Sequence, residues 1–264
     1  MSSSELNLPK ISVITPSYNQ AQFIEQTIQS VLSQGYPNLE YIVMDGGSTD
    51  GTLEILRKYA DHLYWVSEPD RGQSHAINKG FARASGDVLA FLNSDDLYEP
   101  GALLSVGSYF AAHPEVFWLT GWCRTIDAQG KEIRRLSTWY KMFWLLFRSY
   151  TVLLVLDYIS QPATFWRREV IDKVGGFDES LHYAMDYDYS LRVGKYYKLS
   201  VLNHFIARFR VHAFSKAGAT AHTQFDADLN ITYRHTNAVL LRLLHSWHNS
   251  LIVMIYRLLT VRNY

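Results

Sequence analysis

Asp95 and Asp96 directly follow the apolar run Val88–Leu92, so two adjacent carboxylates stand at the end of a strand. Adjacent like charges repel, and a bound divalent cation removes that repulsion. Oxygen ligands suit Mg²⁺ or Mn²⁺, which keep positions open for phosphate oxygens. An isolated Asp-Asp pair would read as a solvated turn or a helix cap; the buried strand before it favours a held cation. Asp186 and Asp188 lie in HYAMDYDYSLRV, where Tyr187, Leu191 and Val193 indicate a packed element. A carboxylate among aromatics can serve as a general base, or it can cap the helix that starts at Tyr187; spacing alone does not decide. His212, in FRVHAF, is by type more often a structural histidine than a ligand. Asp70-Arg71 reads equally as a surface turn, and Asp45 as a helix-proximal cap. Gly46–Gly51 lacks the G-x-G-x-x-G spacing, and no Walker A, G-x-S-x-G or H-E-x-x-H sequence occurs. The acidic, glycine-bearing set points to a metal-bridged phosphate ligand and away from a dehydrogenase.

These side chains need a frame, and the hydrophobic pattern supplies one. Ile11–Thr15 reads as a strand ending at Pro16, followed by helical spacing at Phe23, Ile24, Ile28, Val31 and Leu32 that stops at Gly35 and Pro37. Leu39–Met44, Leu63–Ser67 and Val88–Leu92 are further strands. Leu53, Leu56 and Tyr59 mark one intervening helix, with Asp50 or Ser48 to cap it; Ala76, Ile77, Phe81 and Ala84 mark the next. Alternating strands and helices predict an open, mostly parallel α/β sheet flanked by helices, with ligands beyond the carboxyl ends of its strands. Those ends carry Ser17–Asn19, Asp45–Asp50, Glu68–Gln73 and Asn93–Asp96. Beyond Pro100 the alternation loosens. Val116–Gly121 and Leu199–Val211 read as strands and Trp139–Leu156 as a partly exposed helix. From Asp226 to about Leu259 the pattern gives one long helix or two short ones, with Arg242, Ser246, Asn249 and Arg257 on one stripe among apolar residues, Ile255, Leu258 and Leu259 included.

Composition bounds the function. Lys+Arg and Asp+Glu are both 25, so no net charge draws the chain to nucleic acid. Residues 1–100 hold 6 basic and 13 acidic residues, whereas 198–264 hold 8 and 2. The front end should hold cations and the tail should tolerate anions or lipid headgroups. A single cysteine, Cys123, excludes an intrachain disulfide or a multi-cysteine zinc site. Met1–Glu5 is polar, so no leader is expected, and Met142–Leu156 is too short to span a bilayer.

Five blocks in order resemble the family 2 glycosyltransferases: VITPSYNQAQFIEQTIQSVLSQ, VMDGGSTDGTLEIL, SEPDRGQSHAINKGFARASGDVLAFLNSDD, VGGFDESLHYAMDYDYSLR and FRVH. The resemblance implies the GT-A fold, whose substrates are nucleotide sugars. It places Pro16, Tyr18 and Asp45 at the nucleoside, Asp70 and Arg71 in the loop bordering it, and Asn78 on the donor. Ser94-Asp95-Asp96 matches the DxD motif: Asp96 would be the direct metal ligand, with His212 near it, and Asp95 would face the sugar or ribose. Asp186 matches the catalytic base, and Gly176, Phe177 and Asp178 fall in the acceptor-side loop Gly175–Glu179. Three departures stand out. Gly46 replaces a second Asp that can contact the base, Met185 replaces a Glu before the base Asp, and the QxxRW motif of processive synthases is absent.

The resemblance implies an inverting, non-processive transfer from a nucleoside diphosphate sugar, UDP-sugars favoured, to a hydroxyl on a saccharide or lipid-linked acceptor, assisted by Mn²⁺ or Mg²⁺. Cell-surface polysaccharide or glycolipid assembly is the expected setting. A silent sugar-binding module or a sugar nucleotidyltransferase on a similar core are the alternatives; the latter lacks its usual Gly-, Arg- and Lys-bearing loop, since TPSYNQAQ stands there. Residues 1–225 are expected to form the transferase domain, with 1–100 as the nucleotide half and 101–225 as the acceptor half. Residues 226–264 are expected to form a helical extension. The tail and Trp139–Leu156 suggest peripheral contact with the inner face of the plasma membrane from the cytoplasm, or else ordinary core packing.

Overall fold

The computed structural model describes residues 7–213, 215 and 221–261; the Met1–Glu5 segment lies outside them. Strands β1 (Ile11–Ser17), β2 (Leu39–Asp45), β3 (Tyr64–Ser67) and β4 (Val88–Phe91) form a parallel block in the order β3-β2-β1-β4. β1, β2 and β4 bury both faces, whereas the edge strand β3 is partly exposed. Ile11 and Val13 of β1 join one core cluster and Ile14 the other, and β2 and β4 alternate in the same way. Helices α1 (Ile24–Leu32) and α2 (Thr52–Lys58) seat Ile24, Ile28, Val31 and Leu56 on the first cluster, while α3 (Gln73–Arg83) seats Ile77 and Phe81 on the second. Each such side chain contributes about 1.5–3 kcal/mol of burial. Helix α3 lies so close to β1 that a Cβ on Gly80 would run into the Ile14 side chain.

The expected end of β1 at Pro16 is corrected: the strand runs through Pro16 to Ser17, two residues beyond Thr15. Ile14 O accepts from Leu92 N on the β4 side, and Ser17 O accepts from Gly46 N on the β2 side. Pro16 therefore aims its missing N–H toward β4 after β4 has ended at Phe91, so no ladder bond is lost.

The second half extends the same sheet with mixed strands. β5 (Leu97–Tyr98), β6 (Trp118–Ile126), β8 (Thr164–Arg167) and β9 (Leu199–Arg210) continue the order as β4-β8-β6-β9-β5, and β7 (Glu132–Ile133) pairs with β6. β8 is antiparallel to β4 and β6, and β9 is parallel to β6. Around them lie α4 (Ala102–Ala112), α5 (Arg135–Leu145), α6 (Tyr150–Leu153), α7 (Arg168–Val174) and α8 (Met185–Gly194). The aromatic segment Trp139–Leu156 is thus parts of two helices, broken near Arg148, which adopts a positive φ of 47°. Ser149 accepts from Val152 N and caps the second piece. The tail forms two helices, α9 (Ala221–His235) and α10 (Val239–Val261), and α9 starts ahead of the expected boundary at 226. Its Ile231 and Thr232 are buried. On α10 the apolar side outside the stripe is largely exposed, as at Leu240 and Leu243, while Asn249 bonds to His245. The side chains of Ile255, Arg257, Leu258 and Leu259 lie outside those described.

Candidate active site

The end of β4 and the end of β9 meet because β5, just after the Asp pair, runs antiparallel to β9 with Leu97 opposite Arg208. Asp96 N donates to Asn93 O and closes a turn, and Thr27 Oγ1 holds Asp96 O at 2.9 Å. Asp96 is fully buried. Its Oδ1 accepts from Arg210 N at 2.8 Å and its Oδ2 from Asn93 Nδ2 at 3.2 Å. Asp95 turns the other way, with Oδ2 3.0 Å from His212 Nε2. Burial pushes both carboxyls above the usual range, against the pull of His212 on Asp95 and with the push of Asp95 on Asp96. Arg210 sits beneath the pair. Its guanidinium donates to Asp95 O, Ala128 O and Gln26 Oε1 at 2.7–2.9 Å.

A carboxylate and an imidazole held in contact make two hard-to-borderline ligands. They fit Mn²⁺ or Mg²⁺, whose remaining positions go to water and phosphate oxygens. Among the described residues no cluster of three or more such ligands occurs, so a cation here would rely on the ligand it bridges.

At the neighbouring strand ends, Tyr18 projects at the β1 terminus with 62% of its surface exposed. Pro16 stays buried inside the strand. Asn19, with φ 51°, stitches this loop to the next: its N–H donates to Ser48 Oγ at 2.7 Å and its Oδ1 accepts from Thr49 N at 2.9 Å. Asp45 is buried, and both its oxygens are engaged by Ser48, Gly47 N and Ser67. It therefore shapes the 46–48 loop. A Cβ on Gly46 would lie 2.7 Å from Asp70 Oδ2, so the Asp70 carboxylate occupies the space a side chain at 46 would need. Asp70 Oδ1 also accepts from Gly72 N, and Arg71 pairs with Glu179 across the cleft.

Asn78, expected on the donor, meets the loop expected on the acceptor side. Asn78 is spent on structure: Nδ2 donates to Phe177 O and Glu179 Oε1, and Oδ1 accepts from Phe177 N. Phe177 is core, its ring stacked 4.2 Å from Tyr189. Gly176 backs onto the Asn78 amide. Asp178 binds Ser180 and lies 3.5 Å from Arg234.

Asp186 and Asp188 part company. Asp188 is buried between Arg192 Nε and His235 Nε2, each at 2.8 Å. Asp186 sits in the first turn of α8, where helix polarity favours a negative charge, and accepts from Tyr187 N. The cap position belongs to Ala184, at φ 56°. Among the described residues no ion pair holds Asp186. It lines a small cavity with Asp157, Gln161, Thr164 and Ser190. Gln161 Nε2 donates to Phe91 O at 2.6 Å, which ties this cavity to the β4 end that carries Asp95. Burial pushes Asp157 up to about 6, with Lys141 pulling down and Asp186 pushing up. Asp228, from α9, is pushed well above the carboxylate range by burial and by Asp157 and Asp186. Sequence reasoning missed Asp157, Asp228, Lys141 and Arg210. The available signals were a lone Asp closing the apolar run VLLVLDY and an Arg two residues before His212. A separate cavity of about 590 Å³, lined by Asp87, Arg167 and Arg168, lies at the opposite strand ends, away from these groups.

Residues 12–175 match the family model for glycosyl transferase family 2, and the chain belongs to that family. TuaG of Bacillus subtilis, whose name assigns it to teichuronic acid biosynthesis, is 40% identical over 119 residues. The match covers 43% of this chain and 47% of that one, so the chain spans about half the length of this relative. Two solved folds superpose well. The mannosyltransferase PcManGT of Pyrobaculum calidifontis, in complex with GDP-Man and Mn²⁺, gives a TM-score of 0.66 at 22% identity over 90% of this chain and 68% of its own. TarS 1-349 of S. aureus, in complex with UDP-GlcNAc, gives 0.64 at 21% identity over 84% and 65%. The open sheet with its mixed second half is the GT-A arrangement expected from the sequence.

Proposed function

We propose that this chain transfers a sugar from a nucleoside diphosphate sugar to a hydroxyl acceptor, with inversion, in the assembly of a cell-surface polysaccharide. The observation that carries this reading is the contrast between two acids on one helix turn: Asp188 is locked by Arg192 and His235, while Asp186 lines a small cavity with Asp157. Asp186 takes the proton of the acceptor hydroxyl as that oxygen bonds to the anomeric carbon. The bond from that carbon to the diphosphate oxygen breaks, and its electron pair leaves with the diphosphate. One displacement inverts the anomeric centre. Ser190 and the Gln161 carbonyl are the polar groups beside Asp186 that would orient the incoming hydroxyl.

At the other end, Asp95 and His212 are the residues that would hold a divalent cation, which would supply charge neutralisation for the departing diphosphate. The family pattern gave the direct ligand role to Asp96; the pairing of Asp95 with His212 supports Asp95 instead, with Asp96 and Arg210 positioning it. Tyr18 is the exposed ring for the nucleobase, and the Asp70 carboxylate beside Gly46 stands near the base edge. UDP-sugars remain the favoured donors, supported by the UDP-GlcNAc complex of TarS, with GDP-sugars next on the PcManGT complex. A nucleotide-sugar donor made in the cytoplasm fits a cytoplasmic site of action.

Incubation with UDP-, GDP-, dTDP- and CDP-sugars and Mn²⁺, with and without saccharide acceptors, tests the reading. Nucleoside diphosphate release from one donor class, with an inverted product anomer by NMR, is expected. Release of pyrophosphate from a nucleoside triphosphate, or no release from any donor, would contradict it.

A further inference from the structure

Helices α5 and α10 lie side by side: Tyr140 and His248 stack with ring centroids 6.0 Å apart, and Tyr140 Oη is 2.7 Å from His248 Nε2. On either side of that contact the helices turn large apolar side chains to the outside. Trp139, Phe143 and Phe147 on α5 and just after it, and Leu240, Leu243 and Trp247 on α10, are each more than half exposed. Isolated exposed apolar residues are ordinary, but adjoining faces of two helices with two tryptophans are an interaction surface. No helix among the described residues is long and apolar enough to cross a membrane, so this surface has to be met from the side.

The charge around it identifies what meets it. Arg134, Arg135 and Arg148 are exposed on and beside α5, with Glu132 3.5 Å from Arg135 as the neighbouring carboxylate. Arg234 and Arg242 are the described arginines after residue 229, where the sequence holds no Asp or Glu. A second copy of the chain docked across a twofold axis would set this mainly basic rim against itself. A bilayer with anionic headgroups complements it: tryptophans and phenylalanines enter the headgroup–acyl boundary while arginines reach the phosphates.

We propose that the α5–α10 face is a membrane-docking surface that lies in the interface of an anionic bilayer. It is joined to the helix bearing Asp186 through Tyr187 Oη, Thr232 Oγ1 and His245 Nδ1, successive contacts of 3.1 Å. Docking therefore holds the acceptor side of the cleft at the lipid surface. That last consequence rests on the transferase reading; the docking itself does not.

The test is co-sedimentation of the full chain with vesicles of phosphatidylcholine alone or with phosphatidylglycerol, without donor or metal. Binding to the anionic vesicles is expected, with little to the neutral ones and partial loss at high salt. Trp139→Ser with Trp247→Ser should cut the bound-to-free ratio by about tenfold or more. Both tryptophans are exposed, so this variant should keep the wild-type unfolding temperature. Arg135→Glu with Arg148→Glu should remove the preference for anionic lipid. No binding of wild type to anionic vesicles, or undiminished binding by the tryptophan variant, would overturn the proposal. So would a stable dimer in sedimentation velocity that the tryptophan variant dissociates. Because no sugar donor is present, failure here leaves the transferase reading standing, and failure of turnover leaves the vesicle result standing.

Discussion

Glu40, at the start of β2, and Asp157, beside the cavity of Asp186, are carboxylates held in opposite states. Burial works against Glu40, but hydrogen bonds from Ser12, Ser85 and Lys10 outweigh it and hold the carboxyl down to about 2. Burial dominates at Asp157, where Lys141 does not offset it and Asp186 adds its own charge, so the group is pushed up to about 6. A similar contrast separates other acids of the chain. Asp45 and Asp50 in the nucleotide half are ringed by hydroxyl and N–H donors that shape loops. Asp157, beyond α6, and Asp228, on α9, crowd one another with few donors. Satisfied acids shape rigid loops at the strand ends. Crowded acids, as at Asp157 and Asp228, are pushed toward the protonated form.

The largest expected effect breaks the acceptor half. Asp186→Asn should lower turnover by about 10²–10⁴, roughly 3–5 kcal/mol of barrier, with nucleotide affinity changed little. Steady-state rates set beside nucleotide titration check this. Asp95→Asn should act on the other half, weakening Mn²⁺-supported turnover by about a hundredfold, roughly 3 kcal/mol, and raising the Mn²⁺ needed for half activity.

Two smaller effects sharpen the comparison through stability. Asp157 has its folded pKa above its unfolded one, so its ionisation costs stability as pH rises from about 4 through about 6. Asp157→Asn should then stabilise the fold by about 2 kcal/mol near neutral pH, with no gain in acid. Glu40 is the reverse: its folded pKa is depressed, and its contribution is present above about pH 4.5 and lost as pH falls toward about 2. Glu40→Gln should destabilise by about 1–2 kcal/mol at neutral pH, after allowing for solvent screening. Denaturant unfolding across pH separates the two signs. Equal signs for both variants would erase the distinction between the halves.

The first hundred residues were legible because each strand, turn and helix there obeys a local rule. Continuous apolar runs make strands covered on both faces, and Gly, Asn, Asp and Ser clusters mark their ends. Even the error at Pro16 is local in origin; it reflects which neighbour strand had already ended. The acceptor half was less legible because its site is assembled by long-range contacts. Asp157, Asp186 and Asp228 come from a loop, α8 and α9, and no spacing rule connects them. The resemblance located Asp95, His212 and Asp186, and the structure brings Asp95 to His212. It could not show that Asn78 is committed to Phe177, since an amide bound to a nearby loop and one bound to a ligand look alike in sequence.

The most direct test of this division is calorimetric titration of UDP, GDP, dTDP and CDP, with and without Mn²⁺, into the wild-type chain, Asp95→Asn and Asp186→Asn. The account predicts that one nucleotide binds wild type and Asp186→Asn alike in a Mn²⁺-dependent way, and that Asp95→Asn loses the Mn²⁺-dependent part. Binding without Mn²⁺ dependence, or equal loss in both variants, would contradict it.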